Sequence, residues 1–333
     1  MKIALVKLSS LGDVVHALPV AATLRARLPE ARITWIVERR EAAVLAGHPA
    51  LERVITVDTR RWRRSLAPTA LAGSAREVLA VRRELGAARF DVALDLQGLI
   101  KSGVLIGLTR APLRIGFGAG WCRERLSVLA TNRRVTPPAQ ARHVVDQYLS
   151  LVEALGIKDR VLEFRLPSDP AAETRLDEFF AGAGLKPGNR VAVLNPGAGR
   201  AEKRWPLERF RALAGALVAE GRARVIVVWG PGEEAVARAI ASAGGPHVFL
   251  APPTDLLALI ALLRRASVVV AADTGPLHLA AALGTPCVGL YGPTRAERNG
   301  PYGAGHRAFQ APDGRVATVG VEDVATAALG LLG

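Results

Sequence analysis

Short apolar runs alternate with stretches of helical periodicity along the whole chain. "KIALV" leads into a predicted helix through about Leu28, and "ITWIV" follows. A short helix near Glu41 to Ala46 precedes "RVITV", and a helix from Ser74 to Leu85 precedes "DVALDLQ". Another helix starts near Leu99. This rhythm predicts parallel strands joined by crossover helices on both sheet faces. "HVVDQYLSLVEALGI" reads as an amphipathic helix closing at a glycine. A polar, irregular segment, "KDRVLEFRLPSDP", then interrupts the pattern.

The rhythm restarts after it. Strands are predicted at "RVAVLN", "RVIVVWG", "HVFLA", "ASVVVAAD" and "PCVGLYG", with helices at Pro206–Ala219, Glu233–Ser242 and Thr254–Arg265 between them. The closing "VEDVATAALGLLG" reads as one more helix. The expected class is α/β, with two Rossmann-like parallel-sheet domains. The first spans 1–160, a linker 161–172, and the second 173–333, whose last helix is a candidate to pack back on the first. Two such halves facing one another place a ligand cleft at the C-terminal ends of their strands.

The chain has 333 residues, enough for two domains of about 150 residues, each with its own core. No apolar run reaches the roughly 18 residues of a membrane span. "VVVAADTGPLHLAAALG" is broken by Asp273, Pro276 and His278. The N-terminus lacks the apolar core of a signal peptide, which points to a cytoplasmic protein. Cys122 and Cys287 form neither a disulfide framework nor a metal-ligand spacing. Charge changes the picture more. Residues 1–160 hold 26 Lys and Arg against 14 Asp and Glu, whereas residues 161–333 hold 18 against 16. A basic excess confined to one half points that half at a polyanion, either nucleic acid or an acidic lipid surface.

Candidate chemistry sits at predicted strand ends. In "SSLGDVVHALP", Asp13 follows a glycine where strand becomes helix, a place that suits a helix cap or a general base. In "ADTGPLHLAAALGTP", Pro276 suits a first helical position, and the free amides around Thr274 and Gly275 suit a phosphate or an ordinary capped turn. "NPGAGRAEKRWP" puts Lys203 beside a helix start without the Walker glycine spacing. It is one of only six lysines in a chain that otherwise uses arginine. In "WGPGEEAVARA", Glu233 and Glu234 serve a helix dipole or the hydroxyls of a ribose. "DTRRWRRSL", "DLQGLIKSG" and "GWCRERLSVLATNRR" supply cations that match phosphate or carboxylate groups. No His or Cys spacing supports a metal, and no Gly-x-Ser-x-Gly elbow is present.

Taken together, "VKLSSLGDVVHALP", "DLQGLIKSG", "AEKRWP" and "ADTGPLHLAAALGTPCVGLYGPT" resemble the lipopolysaccharide heptosyltransferases of glycosyltransferase family 9, type I more than type II. The likeness runs from residue 6 to about 294 and covers both halves. It implies a GT-B fold and an inverting transfer of L-glycero-D-manno-heptose from ADP-heptose to the Kdo of Kdo-lipid A, with no cofactor and no required metal. By the same resemblance Asp13 is the general base and Lys203 meets the donor diphosphate. Asp273, Thr274, Gly275 and His278 bind the donor, and Glu233, or else Glu234, holds its ribose. Arg60, Arg61, Arg63, Arg64, Lys101 and Arg123 bind the acceptor's phosphates and carboxylates. One departure is Ala198-Gly199, where some relatives carry threonines. The implied partners are the donor, the lipid acceptor and the anionic cytoplasmic face of the inner membrane, with no nucleic acid. A core transferase of type II and a non-catalytic nucleotide- or nucleic-acid-binding protein stand as alternatives. With aromatics only 5% of residues, base-stacking platforms are poorly supported.

Overall fold

The computed structural model describes residues 1–64 and 68–332, with the side chains of residues 63–72 outside that description. The described chain forms two units, Met1–Arg165 and Leu166–Gly333.

The first unit holds six parallel strands: β1 (Lys2–Val6), β2 (Arg32–Glu38), β3 (Arg53–Val57), β4 (Val92–Asp95), β5 (Leu113–Phe117) and β6 (Arg133–Val135). Their order across the sheet is β3-β2-β1-β4-β5-β6. Five helices accompany them: α1 (Leu11–Arg27), α2 (Thr59–Arg64), α3 (Pro68–Ala88), α4 (Ile100–Leu108) and α5 (Val144–Glu153). β1 is buried from Ile3 to Val6, so it reads as an unbroken apolar run, as a strand covered on both faces must. Val6, Ile36, Ile55 and Ala93 pack beneath Leu85 of α3 and Ile106 of α4 on one face. On the other face α1 packs against α5.

The second unit repeats the plan. Its strands are β7 (Val191–Asn195), β8 (Arg224–Val227), β9 (Val248–Leu250), β10 (Val268–Ala272), β11 (Cys287–Tyr291) and β12 (Arg307–Gln310), ordered β12-β11-β10-β7-β8-β9. The helices are α6 (Pro170–Gly182), α7 (Leu207–Ala219), α8 (Glu234–Ala243), α9 (Leu256–Arg265), α10 (Gly275–Ala282), α11 (Ala296–Asn299) and α12 (Val321–Leu332). Val324, Ala328 and Leu332 of α12 join Leu213 and Leu217 of α7 in one core cluster, which places the last helix in the core of the second unit. Trp205 is buried there as well, edge-on to Phe210 at 5.0 Å, and its indole N–H donates to Val319 O at 3.0 Å.

Counted within its own unit, each sheet has the doubly wound order 3-2-1-4-5-6. The order reverses between β1 and β4 and between β7 and β10. Loops leave in opposite directions there and open a crevice at the strand ends. The pattern-based reading differs in detail. β5, β6 and β12 were not expected, because these short strands carry Arg114, Arg133, Arg134 and Arg307 and lack an apolar run. Residues 42–45 form a 3-10 turn where a helix was predicted. α6 begins at Pro170, inside the predicted linker, capped by the Asp169 carboxylate.

Candidate active site

In the first unit, Asp13 sits at the third position of α1, just beyond the β1 end. Its Oδ2 accepts from the backbone N–H of Ser10 at 3.0 Å and from the Ser10 hydroxyl at 2.9 Å. The reach back to the N-cap is one half of a capping box. The other oxygen is held from the protein side. Tyr148 of α5 donates to Oδ1 at 3.3 Å, and the Lys7 ammonium stands 3.6 Å away. Lys7 is almost wholly buried. It donates to Tyr148 Oη at 2.6 Å and to Leu96 O at 3.2 Å, and its charge lies 4.7 Å from the Tyr148 ring centre. The Asp13 side chain itself keeps 30% of its surface exposed. A carboxylate tethered on one side and open on the other has the geometry of a base that a substrate hydroxyl reaches.

Beside this group, the fully enclosed Asp95 ends β4. Burial pushes its carboxyl up, against the amides of Gln97 and Gly98, the Ser102 hydroxyl and the charge of Lys7. Gln97 Oε1 accepts from the amides of Leu8 and Ser9, tying the β4 loop to the β1 loop. Lys7 and Gln97 lie in strand-end segments that the sequence marks, but Tyr148 is not singled out by it. Tyr148 occupies an ordinary apolar position of an amphipathic helix, and no spacing shows where its hydroxyl points.

The expected acceptor residues divide. Lys101 Nζ donates to Glu38 Oε1 at 3.1 Å and to Thr59 Oγ1 at 3.4 Å, so the start of α4, β2 and the start of α2 meet at one ion pair. Glu38 also accepts from the Thr59 amide and hydroxyl, which pins the first turn of α2. Arg60 and Arg61 are exposed on that turn, and Arg61 pairs with Glu77 of α3 at 3.0 Å. Arg63 and Arg64 continue α2, with side chains outside the described residues. Arg123 is exposed in the loop after β5.

In the second unit the strand-end residues converge. Lys203 Nζ lies 2.5 Å from Asp273 Oδ2, and His278 Nε2 lies 3.0 Å from Asp273 Oδ1. Burial alone would push the Asp273 carboxyl up. Hydrogen bonding and charge from His278, with the Lys203 contact, outweigh that and hold it well below the usual carboxylate range. Thr274 is the N-cap of α10, with Pro276 in its first turn. Its hydroxyl donates to Ala272 O and accepts from Asn195 Nδ2, both at 3.1 Å. Asn195, which joins β7 to β10, was likewise not singled out. The amides of the first α10 turn have no helical partners and suit a phosphate oxygen.

The two glutamates separate by geometry. Glu233 Oε2 accepts from Gly230 N at 3.0 Å. A Cβ added at Gly197 would lie 1.8 Å from the same oxygen, so only glycine lets the β7 loop and this carboxylate meet. Glu234 instead pairs with Arg238 one turn along α8. Ala198 is buried and its carbonyl accepts from Arg204 Nε at 3.1 Å. Among the described residues no group of His, Cys, Asp and Glu could hold a metal, and no helix is long and apolar enough to cross a membrane.

Comparison with known proteins places this geometry. The family model for glycosyltransferase family 9 (heptosyltransferase) matches residues 78–327. The chain belongs to this family. Lipopolysaccharide heptosyltransferase 1 of Escherichia coli (strain K12) is 32% identical to this family 9 glycosyltransferase over 315 residues, 94% of either chain. The protein of the same description from Salmonella typhimurium is 32% identical, across 97% of this chain and 98% of its own. A solved structure of E. coli heptosyltransferase WaaC with ADP-2-deoxy-2-fluoro heptose matches with TM-score 0.79 and 31% identity, over 98% of both chains. The two parallel six-stranded sheets are those of the GT-B-like fold.

Proposed function

We propose that this glycosyltransferase moves L-glycero-D-manno-heptose from ADP-heptose to the Kdo of Kdo-lipid A, with inversion at the anomeric carbon and no required metal. The observation that carries the reading is the topological equivalence of two groups in a family 9 chain. Asp13 follows the first strand of one doubly wound sheet and Lys203 the first strand of the other, each at the point where strand order reverses. The relatives named for heptose transfer, and the solved relative with an ADP-heptose analogue, support the donor.

In this mechanism Asp13 removes the proton from the Kdo hydroxyl as that oxygen attacks the anomeric carbon. Such a base contributes roughly 10²–10⁴-fold. Lys203 and the amides around Thr274 stabilise charge on the departing ADP. Asp273 and His278 hold the Lys203 ammonium and the α10 turn in place. Glu233 receives the ribose hydroxyls. Arg60, Arg61, Arg63, Arg64, Lys101 and Arg123 receive the phosphates and carboxylates of the acceptor. The basic first half rests on the anionic cytoplasmic face of the inner membrane, where the lipid acceptor lies.

Incubation with ADP-heptose and Kdo-lipid A, followed by mass analysis, tests the reading. A product heavier by one heptose, with release of ADP, is the expected result. No transfer to Kdo-lipid A, with transfer to its heptosylated product, would assign the chain to the type II step.

A further inference from the structure

We infer that the flank formed by α4 and the 3-10 turn Arg125–Ala130 docks on an anionic phospholipid bilayer. The inference deepens the peripheral-membrane reading above by naming the surface that makes the contact.

Five of the ten large apolar side chains exposed among the described residues fall between positions 100 and 129. They are Ile100 and Val104 on α4, Trp121 in the loop after β5, and Leu126 and Leu129 on the 3-10 turn. Leu126 is 65% exposed and Leu129 75%, while their neighbour Ser127 is 3% exposed. The turn therefore shows its leucines to solvent and its serine to the protein. α4 repeats this inversion. Ser102 is fully buried, bonded to Asp95 Oδ2 and Leu99 O, while Val104 is 57% exposed. Two adjacent segments that turn apolar side chains outward and serines inward are built for a second apolar medium, because water alone selects the reverse arrangement.

The two segments form one surface. A Cβ added at Gly103 would lie 3.2 Å from Ala130 Cβ and 3.4 Å from Ser127 O, so α4 and the turn are packed at contact distance. Glu124 Oε2 accepts from Ile100 N at 2.7 Å and fixes the start of α4 to the start of the turn.

Charge selects the partner. Residues 98–134 contain seven basic residues and one acidic residue, Glu124, which is occupied at the α4 N-terminus. Arg123, Arg125, Arg133 and Arg134 are exposed and form no ion pair among the described residues. Arg134 Nη2 donates to Val128 O at 3.3 Å, which holds its charge beside the turn. Exposed leucines and an indole interspersed with exposed arginines match the boundary between acyl chains and anionic headgroups. A second copy is a poor fit, because a two-fold contact would set these arginines against one another.

The test uses the whole chain and vesicles of phosphatidylethanolamine with phosphatidylglycerol, set against phosphatidylcholine alone. The parent should sediment with the anionic vesicles and release as salt rises. The double variant Leu126→Ser, Leu129→Ser should partition about tenfold more weakly, and Arg125→Gln with Arg133→Gln should flatten the salt dependence. Trp121 emission, read as the difference between the parent and Trp121→Phe, should shift to the blue on vesicles. Transfer to a water-soluble Kdo acceptor without acyl chains should be the same in the leucine variant and the parent. Equal vesicle binding by parent and leucine variant overturns the surface assignment. A parent that ignores anionic vesicles overturns the membrane reading as well. A parent dimer dissolved by the leucine substitutions assigns the flank to a second copy instead. Because sedimentation needs no donor, a failure of heptose transfer leaves these results readable.

Discussion

Lys203 Nζ stands 2.5 Å from Asp273 Oδ2, joining the loop after the first strand of the second sheet to the loop after its fourth. The pair holds an ammonium at the crevice before any phosphate arrives. Lys203→Ala should weaken ADP binding by roughly one to two orders of magnitude, the scale of a charged hydrogen bond. Calorimetric titration with ADP checks this. Lys203→Arg should recover only part of the loss, because a guanidinium does not fit the space of a compact ammonium.

Asp273 sets the acid response of the same site. Its carboxyl is held below the ordinary 3.8, so the fold favours the ionised form. That stabilisation is fully present above pH 3.8 and is lost as the pH falls through the lower folded value. Asp273→Asn should therefore melt below the parent at neutral pH. The gap should close in thermal scans taken below pH 3.8.

Asp13 caps α1 through Ser10 and is the base of the proposed mechanism. Asp13→Ala should reduce transfer by roughly 10²–10⁴-fold while leaving ADP affinity unchanged. It should also cost about 1 kcal/mol of stability through the lost contact with Ser10. Asp13→Asn retains an acceptor for Ser10 but has no basicity. Near-parental turnover in that variant would remove Asp13 from the reaction.

Lys7 and Tyr148 both contact Asp13 Oδ1, which makes them candidates to position it. Tyr148→Phe removes one hydrogen bond to Oδ1 and should lower kcat several-fold with unchanged ADP affinity. Lys7→Met removes the cation 3.6 Å from Oδ1 and should move the acidic limb of the pH–rate profile upward. A profile that keeps its parental limb in Lys7→Met would limit Lys7 to a structural role.

Glu233 and Glu234 give an internal control. Glu233→Gln should weaken binding of ADP more than of its 2′-deoxy analogue, whereas Glu234→Gln should leave both constants at parental values. Equal effects from the two variants would remove the ribose assignment.

The legible part of the fold is the part that rests on local pattern. Buried parallel strands such as β1, β7 and β10 must be apolar throughout, so their positions were legible, and with them the strand ends where Asp13, Lys203 and Asp273 fall. The helix start marked by Pro276 was legible for the same local reason. The strands β5, β6 and β12 were not, because they are short and arginines interrupt their apolar pattern. Which side chains meet depends on the folded chain. Lys203 reaches Asp273 across 70 positions of sequence, and Lys7 reaches Tyr148 across 141. Such contacts follow from strand order and helix packing, which bring distant loops to one sheet edge and leave no periodic trace in the chain. Glu233 and Glu234 part in the same way, by a single turn of backbone that aims one carboxylate at Gly197 and Gly230 and the other along the helix surface.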